Sequence, residues 1–533
     1  VEEFDAVVIG GGHQGLVAAT VLADAGLTVL VVEANSGVGG AVRSGEVTLP
    51  GFVHDLYATN MNLFLGSPFF REYADELAAD GLRFARSARP YASAFPNGKS
   101  LRVTCDQDAT LDMWREHSPA DAVGWERSRR VFESAAEVYL PLYVNPQPSP
   151  ATLAGGRALW RSRKRVGLSE LAAGFLSSTR ALADRYFTTP EAKALTAAWG
   201  MHLDYAPDIS GGAIFPLLEM YADMLNGMSL VEGGAGKLPQ ALAGLVERRG
   251  GTVRTGVPVA RIDVDRTGAS GVTLSDGTRF GARRGVVSTA VLPRLVEELL
   301  ADVSVPRDMV SAAERYRFGP GTFMLHLALR GPIPWLDTRL SGFAYVHVGS
   351  YIDDMARTYQ QAMAHQLPDS PLLIVGQTSA VDPTRAATEG NHTVWIQVRT
   401  VPARIDGDAA GGITGSDWED VREAFADRVL ATLEAYAPGI KGLVLARAAF
   451  SPVDLQRENA NLVGGDSVSG SHHLDQFFLM RPSLQLNRYR TSIPRLFLAG
   501  AGTWPGAGVN GISGRLAAEA LLRTGRHRRF LPN

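Results

Sequence analysis

Residues 5–33, DAVVIGGGHQGLVAATVLADAGLTVLVVE, constrain the fold of this chain more than any other stretch. A short apolar run ends on glycine, and Gly10, Gly12 and Gly15 form a G-x-G-x-x-G pattern. Helical apolar spacing follows (Leu16, Ala19, Val21, Leu22), and a second apolar run, LTVLVVE, closes on Glu33. The order predicts a strand, a tight turn, a helix and a second strand. The first glycine permits the turn, the second lets a pyrophosphate approach the main chain, and the third lets helix pack on strand. The helix N-terminus offers N–H groups and partial positive charge to phosphates, and Glu33 suits a ribose hydroxyl. A carboxylate there repels a 2′-phosphate, which argues against NADP.

Two further glycine clusters decide between NAD and FAD. The doublet Gly39–Gly40 follows the second strand, where FAD enzymes of the glutathione-reductase type make a second main-chain contact with the pyrophosphate. Near the other end, RLFLA runs into GAGTWPGAGVNG (Gly500 to Gly511) and then into the helical ISGRLAAEALLRTG. A loop this poor in side chains lets the main chain approach a large flat ligand. Its following helix, opening near Val509–Ile512, would aim its N-terminus at an electron-rich ring oxygen. FAD is therefore the expected cofactor, gripped from both ends of the chain.

The glycine box resembles that of the bacterial phytoene desaturases, in the flavin amine-oxidase superfamily. DAVVIGGGHQGLVAA, YVHVGSYIDDMARTY, HTVWIQV, LDQFFLMRP and SGRLAA are similar to the branch of phytoene desaturase-like oxidoreductases that includes β-carotene ketolases and the animal pyridine nucleotide-disulphide oxidoreductase domain protein 2. The resemblance spans nearly the whole chain. It implies FAD contacts at Gly10, Gly12, Gly15, Glu33, Gly39, Gly40 and Gly502, with Val257 bonding adenine through its main chain. Two positions depart from the pattern: Ala41 replaces an arginine, leaving Arg43 as the nearest substitute, and Trp504 replaces a histidine. Gly511 completes the box beside Val509 and Ile512.

The chain has 533 residues, 45% hydrophobic and 20% charged, with net charge −3. That is an ordinary globular composition, long enough for several domain-sized units, and gives a nucleic acid no reason to bind. The fold class is α/β: a Rossmann-type FAD-binding domain with a mixed helical and antiparallel-sheet substrate domain. The FAD part is expected from 1–75, 225–300 and 455–533. Between these lie a helix-rich insertion, 76–224, and a sheet-bearing substrate domain, 301–454. One cysteine, Cys105, excludes internal disulfides and cysteine-rich metal sites. With acids and no basic region in VEEFDAVVIGGG, and no long apolar run, a cytoplasmic protein is expected. Arg157, Arg161, Arg163, Lys164 and Arg165 flank Trp160. The plainer reading is a solvated face; the sharper is peripheral contact with anionic lipid.

A flavin performs the redox step while the protein orients the substrate and handles protons. Candidates for that work are His54, Asp55 and Tyr57 after the doublet, His473 (with His472 and Asp475) before the last strand, His202 with Asp204, and Trp504 in the box. Asp55 and Asp475 also read as structural acids, and His13 as a residue that positions the cradle. No metal-ligand spacing and no G-x-S-x-G elbow appears. The expected activity is removal of hydride from a hydrophobic, isoprenoid or carotenoid-like substrate onto the flavin. Without a second dinucleotide motif, oxygen or a quinone is the expected acceptor. The alternatives are a flavin amine oxidase and a non-catalytic FAD-binding partner protein.

Overall fold

The computed structural model describes residues 1–150, 153–154, 157, 173–349, 351–386 and 388–526. The opening motif forms β1 (Glu2–Ile9), α1 (His13–Asp24) and β2 (Val29–Val32). β1 pairs in parallel with β2 and with Arg279–Ser288. Thr252–Arg254 extends the parallel block beyond β2, and Leu496–Leu498 extends it beyond Arg279–Ser288. Strands covered on both faces read as unbroken apolar runs, as VVI and VLVV do. Val259–Asp265 and Gly268–Leu274 continue the sheet as an antiparallel flap. α1 packs against Lys237–Arg248 and against the last helix, Ile512–Arg526. The second contact is close because Gly514 has no side chain: a Cβ there would lie 2.0 Å from the carbonyl oxygen of Gln14.

A second sheet runs in the order Val444–Phe450, Gly321–Leu329, His392–Val401, Leu373–Gly376, Tyr345–Val348, Tyr91–Ala94 and Ser100–Val103. Its last two strands come from the helix-rich stretch, and Tyr91–Ala94 pairs in parallel with Tyr345–Val348. Alternation decides its two faces. Phe323, Leu325, Leu327, Val394, Ile396 and Val398 form a core with Val421, Phe425 and Val429 of the helix Trp418–Glu434. Met324, Tyr345, Ile374 and Trp395 point inward, to a core shared with the helices Pro119–Val144, Pro190–Gly200 and Ile214–Asn226. Among the described residues no helix is long and apolar enough to cross a membrane. Arg161 to Arg165, with Trp160, lie outside the described residues.

Residues 52–57 sew the two sheets together. His54 is fully buried, accepts or donates to Thr48 Oγ1 at 2.8 Å, and meets His326 of the second sheet edge-on, 5.3 Å between ring centres. Asp55 accepts from the Ala235 N–H at 2.7 Å and forms an ion pair with Arg385 at 2.8 Å, both side chains fully buried. Arg385 also pairs with Asp382 at 3.1 Å and donates to the Val231 carbonyl at 2.7 Å. Both charges are thus compensated within the fold, so removing one leaves the other stranded. An Asp55→Ala variant is expected to lose about 3–5 kcal/mol of unfolding free energy in denaturant titrations. Burial, then the charge of Arg385, lowers the His54 pKa to about 4. The unfolded chain therefore binds this proton first, and stability falls as pH drops below 6.5 toward 4. At pH 5 the loss from His54 is about 2 kcal/mol, and His54→Asn should flatten that part of the stability profile.

Candidate functional site

The opening loop is a cradle whose helix start carries no side-chain cap. α1 is capped by Gly12 with no side-chain cap, so its first-turn N–H groups lack side-chain acceptors and face the loop. Gly10 sits at φ 99°, and a Cβ on Gly15 would lie 2.0 Å from the Gly10 oxygen. The doublet closes the other side: Gly39 N–H donates to Gly11 O at 2.9 Å, and a Cβ on Gly40 would lie 3.2 Å from the Gly12 Cα. Glu33 accepts from the Gly11 and Asn35 N–H groups at 2.7 and 2.8 Å. Its carboxylate therefore shapes the turn and keeps further lone pairs for a ribose. Arg43 lies against Gly39 and pairs with Glu458 at 2.9 Å. Val257 follows Gly256, whose N–H donates to Asn35 O at 2.8 Å; among the described residues the Val257 main chain has no partner.

The terminal glycine box meets this cradle. Gln14 donates to Asn510 Oδ1 at 3.0 Å and accepts from Gly514 N–H at 2.8 Å. Asn510 Oδ1 also takes the Ile512 N–H at 2.9 Å. Two first-turn amides of the last helix are therefore already used inside the protein, which leaves fewer for a ring oxygen than the sequence suggested. His13 stands between the loops, hydrogen-bonded to the Gly508 main chain, its Nε2 buried without a partner. Burial lowers its pKa to about 4, so the ring is neutral. Gly502 lies beside Tyr316 and Val291, Val509 is buried, and Gly511 takes φ 73°. An uncapped helix start, an orphaned imidazole nitrogen and close glycine-only approaches fit a dinucleotide-bearing cofactor.

The chemical candidates separate in space. Tyr57 is buried, and its carbonyl accepts from Gln397 Nε2 of the second sheet at 2.9 Å. Burial, with the Glu458 charge behind it, raises its phenol to about 12. Trp504 is fully buried, stacked on Phe478 at 5.1 Å, with Phe477 at 5.4 Å and its Nε1 directed at Leu142 O. His473 Nε2 bonds the Asp204 carbonyl at 2.8 Å and lies 3.4 Å from its carboxylate. Burial raises Asp204 to about 6 against the opposing His473 charge. His202 Nε2 meets His347 Nε2 at 2.9 Å, and burial holds both rings neutral. His54 and Asp55 belong to the seam, and Asp475 is an exposed partner of Arg317 at 2.6 Å. Among the described residues no three His, Cys, Asp or Glu side chains converge on a metal site.

His472, a candidate from the sequence, takes a supporting place, and Arg481, Gln14 and Asn510 join the site without having been singled out. His472 Nε2 accepts from Ala507 N–H at 3.1 Å, and Arg481, fully buried, donates to Ala501 O at 2.9 Å and Ser471 O at 2.9 Å. Both brace the glycine box from outside. The polar residues inside GHQG and GVNG were the available signal for Gln14 and Asn510; nothing local marks Arg481.

Comparison with known proteins agrees with this geometry. The family model described as flavin containing amine oxidoreductase matches residues 15–389. The mouse pyridine nucleotide-disulfide oxidoreductase domain-containing protein 2 is 28% identical, over 98% of this chain and 94% of its own. A limonene dehydrogenase chain of Castellaniella defragrans is 26% identical over 98% and 95%, and a lycopene-forming phytoene desaturase of a Paracoccus strain 27% over 97% and 96%. Cyclohexylamine oxidase from Brevibacterium oxydans shares the fold, with TM-score 0.59 at 17% identity over 98% of this chain and 99% of that one. The cofactor is FAD and the protein an oxidoreductase. With its dinucleotide cradle and matching family model, the chain belongs to the flavin-containing amine oxidoreductases.

Proposed function

We propose that this enzyme is a dehydrogenase of the desaturase type, taking hydride from an apolar, isoprenoid-like substrate and passing the electrons to oxygen or a quinone. One observation carries the reading: the inner face of the second sheet is largely apolar and aromatic, and its strands carry no lysine. Met324, Tyr345, Ile374, Trp395 and Phe450 share it. Of the chain's lysines, Lys99, Lys193, Lys237 and Lys441 lie off every strand of that sheet, and Lys164 lies outside the described residues. Among the described residues, no lysine of that sheet could supply the lysine–water contact of an amine oxidase. The histidines that face inward, His326 and His347, are held neutral by burial, so they neither repel nor ionise an apolar guest.

FAD, when bound, supplies the hydride acceptor. The residues proposed to hold it are Gly10, Gly12, Gly15, Glu33, Gly39, Gly40, Arg43, Val257, Gly502, Val509, Gly511 and Ile512. The chain's task at the reacting carbon is to exclude water and orient the substrate, which the closed aromatic wall suits. The limonene dehydrogenase chain and the phytoene desaturases support a hydrocarbon-like substrate by their names. We read 1–75, 225–300 and 455–533 as the FAD-binding part; every strand of the first sheet falls within those segments.

The purified protein should be yellow. Gly15→Ala, whose Cβ would press on the Gly10 carbonyl, should lower its FAD content at least ten-fold, read from the visible absorbance of the gel-filtered protein. Mixed anaerobically with a panel of terpenoid hydrocarbons and amines, the enzyme should lose its oxidised-flavin absorbance with a terpenoid and keep it with every amine. Bleaching by amines alone would establish amine oxidation instead.

A further inference from the structure

The inner face of the second sheet carries one charged side chain among the described residues. Arg399 lies two residues beyond Gln397 on the same strand and points the same way. Its Nε donates to Gln397 Oε1 at 3.1 Å, its Nη1 to the carbonyl of His202, and its Nη2 to nothing among the described residues. None of its partners is a carboxylate. Asp466 is close enough to act on it electrostatically, but the Asp466 oxygens accept from the N–H groups of Gly319, Val468 and Gly470 at 2.9, 2.9 and 2.8 Å. Arg481 draws on the same carboxylate, so two guanidiniums share one acid.

A guanidinium does not shed its proton, and an enclosed, unpaired charge costs several kcal/mol. Yet Arg399 is not sealed: protein surrounds it, while part of its surface stays accessible. Gln397 bridges the guanidinium to the Tyr57 carbonyl, in the segment that follows the glycine doublet, so the charge faces the side on which the cofactor cradle lies. Tyr345 is close enough to feel the Arg399 charge, and Met324 sits opposite Gln397 on the neighbouring strand. The combination is a single fixed cation at one end of an apolar wall.

We propose that Arg399 anchors the carboxylate head of an otherwise apolar substrate. The inference deepens the dehydrogenase reading and rests on it. The planar fork of arginine matches the two oxygens of a carboxylate. A neutral carbonyl would leave the charge uncompensated, and a diphosphate would bring more negative charge than one guanidinium balances. The anchored head then lays the apolar tail along the inner face.

The test uses the FAD-loaded enzyme under anaerobic conditions, with binding followed by perturbation of the visible flavin spectrum. The probes are a C10 isoprenoid carboxylate, its methyl ester and the matching hydrocarbon. In the native enzyme the carboxylate should bind about ten- to hundred-fold more tightly than the ester, the range of a hydrogen bond to a charged group. Arg399→Met should remove that preference and leave ester affinity and FAD content unchanged, while Arg399→Lys keeps part of it. Equal binding of carboxylate and ester by the native enzyme overturns the proposal whether or not the variants fold. So does an Arg399→Met enzyme with unchanged carboxylate affinity and a lowered flavin reduction potential, because the charge would then serve the flavin. Reduction by the hydrocarbon without any carboxylate preference would sink the anchor and leave the dehydrogenase standing; reduction by amines alone would sink the dehydrogenase itself.

Discussion

A glutamine in the first helix holds the two glycine loops of this chain together. Gln14 bonds Asn510, 496 residues away, and the Gly514 amide, 500 residues away. The contact exists because Gly514 lets the last helix come within main-chain distance of α1. Separated, each glycine loop would present its amides to water, and neither would define a cofactor seat. Joined, they face each other across His13, whose free nitrogen lies between them. The clasp is buried, so its hydrogen bonds hold without competition from solvent.

The terminal loop is glycine-rich yet tightly held. Thr503 and Ser513 bond each other at 2.6 Å, the Tyr489 hydroxyl donates to Trp504 O at 3.0 Å, and His472 and Arg481 hold Ala507 and Ala501. Glycine serves here for close approach rather than for motion. Arg481 is also the second guanidinium that draws on Asp466, so the support of the box and the charge balance of the interior are one problem.

That interior is electrically quiet, and this gives its exceptions weight. Burial keeps His202, His326, His347 and His472 neutral and lifts the phenols of Tyr91, Tyr221 and Tyr345 out of the physiological range. A region so poor in charge suits removal of hydride from carbon, where stray ions would draw water inward. In the same low-dielectric setting one uncompensated cation acts over a longer range than it would in water. Arg399 therefore weighs more on substrate selection than the many apolar residues around it, which discriminate only by shape.

Residues 5–33 and 500–511 by themselves determined the parallel sheet and the dinucleotide chemistry. Glycine spacing, strand runs and an acid at the end of β2 are local features, and the geometry that they demand is local too. The inward placement of Trp395 and Gln397 was also implicit in strand alternation, once HTVWIQV was read as a strand. Only the tertiary structure decided which polar residues bear on the site. His54 and Asp55 follow the doublet closely, yet Arg385 and His326, from distant segments, draw them into the seam between the sheets. Arg399 is unremarkable in a strand pattern; its lack of a counter-ion depends on Asp466, Arg481 and His202, brought together from three separate stretches. Charge compensation and burial are sums over neighbours in space, and a linear chain does not list those neighbours.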